Sequence, residues 1–302
     1  MAISRSQLVK ELEPGLNALF GLEYKQYDQE HTAIYTTESS DRAFEEEVML
    51  SGFAQAKVKS EGSGVAFDNA QETFTARYTN ETIALAFAIT EEAIEDNLYD
   101  RLASRYTKAL ARSMASTKNV KGASTLNNGN PGGTFTSGDG VTLFNTAHPT
   151  IAGTFSNTLA TASDLNETSL EQALIDINAF TDERGLKIAA KGVKMIIPSA
   201  LQFVAERLMK SQGRTSTADN DINAVRSMGM IPQGYRVNNY LTDADAFFIL
   251  TDVPNGMKHF NRAPLTTKME GDFDTGNVRY KARERYVFGV SDPRGIFSSP
   301  GA

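Results

Sequence analysis

Apolar residues recur at helical spacing near the start of the chain, at Leu8, Leu12, Leu16, Leu19 and Phe20. That spacing lines one face of a helix. Ser6 is placed to cap it and Pro14-Gly15 interrupts the middle, so residues 3–24 read as an amphipathic arm in two short helical pieces. Such an arm cannot bury its stripe alone, and it packs either on its own domain or on a neighbouring subunit. Between residues 45 and 89 the period changes to two. Ala54, Ala56 and Val58, then Val65 and Phe67, then Phe74, Ala76 and Tyr78 alternate as in strands on either side of Glu61-Gly62-Ser63-Gly64. Glycine there supplies the positive φ of a hairpin tip. A two-stranded ribbon is marginal in water, so it needs a surface to lie on or a larger sheet to edge.

Residues 90–121 predict a long helix. Thr90 can cap the amides of Glu92 or Ala93, and Ile94, Leu98, Leu102, Tyr106, Leu110 and Met114 repeat every fourth position. Acidic residues crowd its first third and basic residues fill the rest, which suits the helix dipole. At about 1.5 Å per residue the rod would reach roughly 45 Å, a length suited to the spine of an extended subunit. Residues 122–163 are rich in Gly, Asn, Thr and Ser, with the breaker cluster 127–133, and mark a boundary.

Beyond it, Leu170, Ala173, Leu174, Ile177 and Phe180 predict a helix with Thr168 and Glu171 as its capping box. A buried strand over 193–197, a helix over 201–209, an exposed loop over 211–220 and a short helix over 222–228 follow. Strands over 235–241 and 246–251 complete a compact α/β unit. In the closing strand Val278, Tyr280, Ala282, Glu284, Tyr286 and Phe288 share one face, and Arg279, Lys281, Arg283 and Arg285 the other. Four cations in a row repel one another unless acid or phosphate lies opposite, so this face is either acid-paired or turned toward nucleic acid.

Composition removes several classes of function. The 302 residues include no cysteine and three histidines, His31, His148 and His259, so thiolate and iron–sulfur chemistry is excluded. No His or Cys cluster has metal-ligand spacing, and neither a secretory signal nor a spanning segment is present. A net charge of −7 argues against a surface that grips a phosphate backbone throughout. No nucleophile elbow accompanies His148 or His259, and His148 before Pro149 reads as a turn residue. The glycine-rich runs 61–64 and 128–133 lack the lysine of a phosphate loop. Asp272 and Asp274 flank Phe273 without the later residues of a calcium loop and read as a structural turn. Arg236 between Tyr235 and Tyr240 could stack on bases, but no basic patch surrounds it. No catalytic residue, cofactor or metal is assigned.

The closing run Glu270-Gly271-Asp272-Phe273-Asp274-Thr275-Gly276-Asn277, with Tyr280, Ala282 to Tyr286, Phe288-Gly289 and Ser291-Asp292-Pro293-Arg294-Gly295, resembles the end of tailed-phage major capsid proteins. The likeness is to the Mu-like major head subunit family, and Leu143-Phe144-Asn145-Thr146-Ala147-His148-Pro149 is similar to a turn those proteins carry. The resemblance implies an α+β protein of the Hong Kong 97-type. Its parts would be an N-terminal arm (1–45), an extended hairpin or E-loop (46–80), a peripheral domain (81–149 and 253–302, with the spine helix 90–121) and an axial domain (150–252).

It further implies a non-enzymatic shell protein that assembles as hexamers and pentamers around double-stranded DNA, contained with few specific contacts and without membrane. The subunit interface would use Leu8, Leu12, Leu16, Phe20, Glu45, Glu46, Glu47, Lys57, Lys59, Phe67, Phe74 and Tyr78. A portal protein and a separate scaffold are expected partners, a decoration protein is a further candidate, and the location is the virion, with assembly in the host cytoplasm. The alternatives are an encapsulin-like compartment and a cytosolic α/β enzyme. Some relatives crosslink Lys to Asn between subunits, but no acceptor for Lys57 or Lys59 is identifiable.

Overall fold

A computed structural model describes residues 5–90, 92–93, 99–214, 221–272 and 276–302, with side chains from residue 13 in the first helix and from residue 103 in the second. Helix α1 (Arg5–Gln26) runs through Pro14 as one piece. The expected break does not occur because Leu16, Phe20 and Tyr24 fix its second half in a core shared with helix α2 (Tyr99–Asn127). That burial outweighs the one hydrogen bond a proline removes.

Helix α2 continues to Asn127, beyond the expected end at 121. Gly122 inside it is a close-approach residue rather than a breaker, since a Cβ there would come within 2.7 Å of the His31 Cβ. Ala103, Thr107, Leu110, Ala111, Met114 and Ala115 form its buried face, while Tyr106 of the expected stripe is 49% exposed. A strict four-residue repeat drifts off a 3.6-residue turn, and small residues take over the contact. Ile94 and Leu98 lie outside the described residues. Thr90 Oγ1 accepts from Ala93 N at 3.4 Å, as its capping role requires.

Two four-stranded sheets organise the rest. The first has the order β1 (Thr36–Ser39), β10 (Met257–Gly271), β11 (Val278–Val290), β4 (Glu81–Ile89). The second has the order β12 (Ile296–Ser299), β9 (Phe247–Thr251), β7 (Gly192–Ile197), β8 (Tyr235–Val237), and carries helices α3 (Glu167–Asn178), α4 (Gln202–Lys210) and α5 (Ala224–Met228). A short hairpin of β5 (His148–Thr150) and β6 (Gly153–Phe155) lies between α2 and α3. The α3 capping box is Asn166 with Ser169, two residues before the pair expected from sequence.

The last strand crosses over. Residues 296–299 pair with β9, so the chain's end joins the second sheet instead of remaining with residues 253–290 as expected. A common core seals the junction: Ile34, Tyr35, Leu126, Phe144, Tyr286 and Phe288 pack with Ile196, Phe248 and Ile296. Buried charges pin it. Arg294 donates to Thr181 O at 2.7 Å and to Glu183 at 2.8 Å, reaches Asp292 at 3.3 Å, and lies 4.3 Å over the Phe155 ring.

His148 is no simple turn residue. Its Nδ1 is 2.6 Å from Asp139 and its Nε2 is 3.0 Å from Asn157 Oδ1. The Asn157 amide nitrogen is committed to Leu143 O and Pro293 O. Both ring nitrogens therefore face polar partners, and the ring ties the Asp139 loop to the Asn157 loop. Removing the ring by His148→Ala would strand a buried carboxylate, which is expected to cost about 3–5 kcal/mol. Urea unfolding checks this: a loss below about 1 kcal/mol would show the pair to be of little structural weight.

Candidate assembly surface

The extended hairpin begins as an antiparallel ladder of β2 (Phe44–Leu50) with β3 (Glu72–Thr79). Ser51 N donates to Gln71 O at 2.9 Å, and from there to residue 71 the chain leaves regular structure. Strands were expected at 54–58 and 65–67, but no ladder forms there. Asp68 instead accepts from the amides of Ala54 (2.7 Å) and Asn69 (2.9 Å), and these bonds hold its carboxyl below the usual carboxylate range. Arg184, in the loop between α3 and β7, donates to Asn69 O. The tip is where the sequence places it, with Gly62 at φ +77°.

The side chains of this excursion meet solvent. Val58 and Phe67 are each 98% exposed, and Phe53 and Val65 are also exposed. Lys57 and Lys59 are exposed beside them. Large apolar groups grouped on one projecting segment mark an interaction surface more strongly than scattered ones do.

The root of the hairpin is fixed by a partly buried network that sequence patterns gave no reason to expect. Lys258 of β10, with its side chain 6% exposed, pairs with Glu47 and lies 3.2 Å from Glu38. Ser291 donates to the other Glu47 oxygen and bonds the Tyr78 hydroxyl. Burial opposes the Lys258 charge, but hydrogen bonds to the two carboxylates outweigh it and raise its pKa above the ordinary lysine value. Burial pushes the Tyr78 phenol up, so it stays protonated. The Tyr78 ring sits 4.9 Å from Phe260 and fills the space over Gly289, where a Cβ would lie 2.2 Å from Cε1.

The expected interface residues thus separate. Phe67, Lys57 and Lys59 stand in solvent, Glu46 is exposed beside Arg77 (3.7 Å), and Glu45 and Phe74 are half-buried. Glu47 and Tyr78 belong to the root network, and Leu16 and Phe20 lie in the chain's own core, so these four do not offer free surface. The backbone at Leu8 and Leu12 is helical, and their side chains lie outside the described residues.

The cation row keeps the predicted alternation: Arg279, Lys281 and Arg283 are exposed and Arg285 is half-buried. Arg279 pairs with Asp272, on the same hairpin, not with the spine helix. Asp274 lies outside the described residues. On the opposite face Glu284 is buried against Lys118 at 3.2 Å, and burial raises its pKa more than the lysine lowers it.

Among the described residues no group of three or more His, Cys, Asp or Glu could hold a metal, and no helix is long and apolar enough to cross a membrane. A family model described as phage capsid protein matches residues 72–299. Among curated proteins the sequence finds no match. Among solved structures the chain is similar to the capsid of Myoviridae phage XM1 (TM-score 0.55, 11% identity, 89% of each chain covered). It is also similar to a capsid of an empty GTA particle (TM-score 0.53, 15% identity, 90% of this chain and 89% of that chain). A structure from Mycobacterium phage Adephagia matches at TM-score 0.52 and 12% identity, with 90% of each chain covered. At these identities the likeness is one of fold, and that fold is the Hong Kong 97-type.

Two substitutions test the root. Lys258→Met leaves Glu47 and Glu38, both partly exposed, facing each other without a cation and is expected to cost about 1–3 kcal/mol. Gly289→Ala forces Tyr78 from its seat, at about 1–3 kcal/mol. Denaturant midpoints equal to that of the unaltered chain would show that the root is not held in this way.

Proposed function

The chain belongs to the phage capsid protein family, and we propose that it builds its shell by laying residues 51–71 of each subunit across the next. It is a capsid shell protein and a component of the virion. The observation that carries the proposal is the excursion itself: a hairpin with a fixed root whose most exposed apolar side chains, Val58 and Phe67, have no cover within their own chain. An extended segment of about 15 residues reaches roughly 50 Å, enough to overlap a neighbour. Repeated weak contacts of one kind between identical subunits close a shell by symmetry, and each subunit buries there what it cannot bury alone.

In this reading the first sheet with α1 and α2 is the peripheral domain, and the second sheet with α3 to α5 is the axial domain meeting its copies at hexamer and pentamer centres. The Arg279 to Arg285 row adds an electrostatic contact at the outer face of the first sheet. DNA is contained, in keeping with the net charge of −7. The closing motif favours a Mu-like head subunit, assembled in the host cytoplasm with a separate scaffold and a portal. Shell-building of this kind requires no catalytic group.

The double variant Val58→Ser, Phe67→Ser separates assembly from folding. Both side chains stand in open solvent, so the subunit's thermal midpoint should stay within about 2 °C of the unaltered chain, since surface changes of this kind cost little. Under conditions where the unaltered chain forms closed shells, the variant should sediment as free subunits or small rings. Normal shells by negative-stain electron microscopy would overturn the proposal.

A further inference from the structure

The turn that joins α1 to β1, residues 27–35, is where three parts of the molecule meet, and two buried histidines face each other there, His31 of the turn and His259 of β10. His31 and His259 contact edge to face at 5.5 Å, and His259 stacks on Phe288 at 4.5 Å. His31 Nδ1 lies 3.0 Å from Asn119 Oδ1 of α2, and the Asn119 amide donates to Asp28 O at 2.8 Å. His259 Nδ1 lies 3.2 Å from the Thr37 hydroxyl of β1, and its buried Nε2 has no hydrogen-bond partner.

The same turn reaches the second sheet through Ile34 and Tyr35, which pack with Ile196 and Phe248, and through polar contacts. Glu30 accepts from the Asn239 amide and from its side chain, both at 2.7 Å, and Lys194 donates to Ala33 O at 3.1 Å. A polar cleft of about 480 Å³ lies around these contacts.

We propose that residues 27–39 form an acid-sensitive joint, which opens locally when His31 and His259 take up protons and so loosens the N-terminal helix from the spine helix and from the second sheet. The carboxylates in the surroundings are already committed to lysines. From α2 comes the Lys118 cation, which is also 4.7 Å over the Tyr286 ring. From β11 comes Glu284, already paired with Lys118, and Tyr286. Tyr24 of α1, Tyr35 and Tyr286 are phenols whose pKa values burial raises, so they remain neutral. Lys258, next to His259 in β10, is paired with Glu38 and Glu47.

Burial, then the hydrogen bond to Asn119 acting in the opposite sense and the Lys118 charge, set His31 below its ordinary pKa. Burial, Lys118 and His31 lower His259 to about 3. The sign follows: the closed joint holds fewer protons than the open one, so its stability is full above the open-state pKa and is lost as pH falls toward the closed-state value. With an open-state pKa of about 6.5, the opening constant should rise ~30-fold from His259 alone between about pH 7.5 and about pH 5, and His31 adds to it.

Amide hydrogen exchange on the purified full-length chain, corrected for intrinsic rates, tests this. Protection in residues 31–39 should fall ~30-fold or more between those two pH values, while residues 192–197 of β7 keep theirs. His259→Phe keeps a ring over Phe288 without the titration and should leave only the smaller dependence due to His31. Equal protection of residues 31–39 at both pH values would overturn the joint, and so would a parallel loss in β7, which would mean global acid unfolding. The unaltered chain decides between these outcomes even if the variant fails to fold, and the result does not depend on whether shells form.

Discussion

Strand β11 is the constraint on which the other elements depend, because both of its edges and one of its faces are committed at once. It pairs with β10 on one side and β4 on the other, so its register fixes the first sheet. Its inward row, Val278, Tyr280, Ala282, Glu284, Tyr286 and Phe288, is buried against α1, α2 and the turn that carries His31. A one-residue slip would turn four cations into that core. The single charge on the inward row, Glu284, is met by Lys118 of α2, so the acid ties the angle of the spine helix to the strand beneath it. Beyond Val290 the chain turns through Asp292 and Arg294 and delivers β12 to the second sheet. One continuous segment thereby sets the relation between the two halves.

Rigidity at the root and openness at the tip of the extended hairpin belong together physically. A buried lysine fixes geometry when its charge is met by carboxylates and their remaining oxygens are hydrogen-bonded. Lys258 between Glu38 and Glu47, with Ser291 and Tyr78 closing the network, provides this next to β2 and β3. No comparable anchor holds residues 53–67. A lever with a fixed base delivers its apolar end to a defined place and avoids part of the ordering cost that a loop flexible along its whole length would meet on binding.

The parts of this architecture that were legible in the sequence are those governed by period. The alternation in β11, the buried run of β7 and the existence of α1 and α2 follow from spacing alone, and the hairpin tip follows from Gly62. What escaped is what depends on distant partners. Pro14 looked like a break because its neighbour across space, α2, is invisible in the local pattern. Gly122 looked like a boundary because only the fold brings His31 against it. His148 looked like a turn residue because Asp139 and Asn157 become its partners only when two loops meet. Within the closing motif that resembled capsid proteins, the pattern of Arg294 could be read but its contact with Glu183 could not.

The hairpin is the informative failure. Residues 54–58 and 65–67 have a strand's alternation, yet the free subunit gives them no ladder. A two-stranded ribbon without a packed face is marginal in water, and alternation describes a preference that needs a surface to be realised. The segment's mean character therefore points outward: Ala56 and Val58 alternate with Lys57 and Lys59 as though one face were to be covered and the other wetted. On the proposed reading the covering surface is the next subunit, and pairing of the ribbon would be completed by assembly rather than by folding.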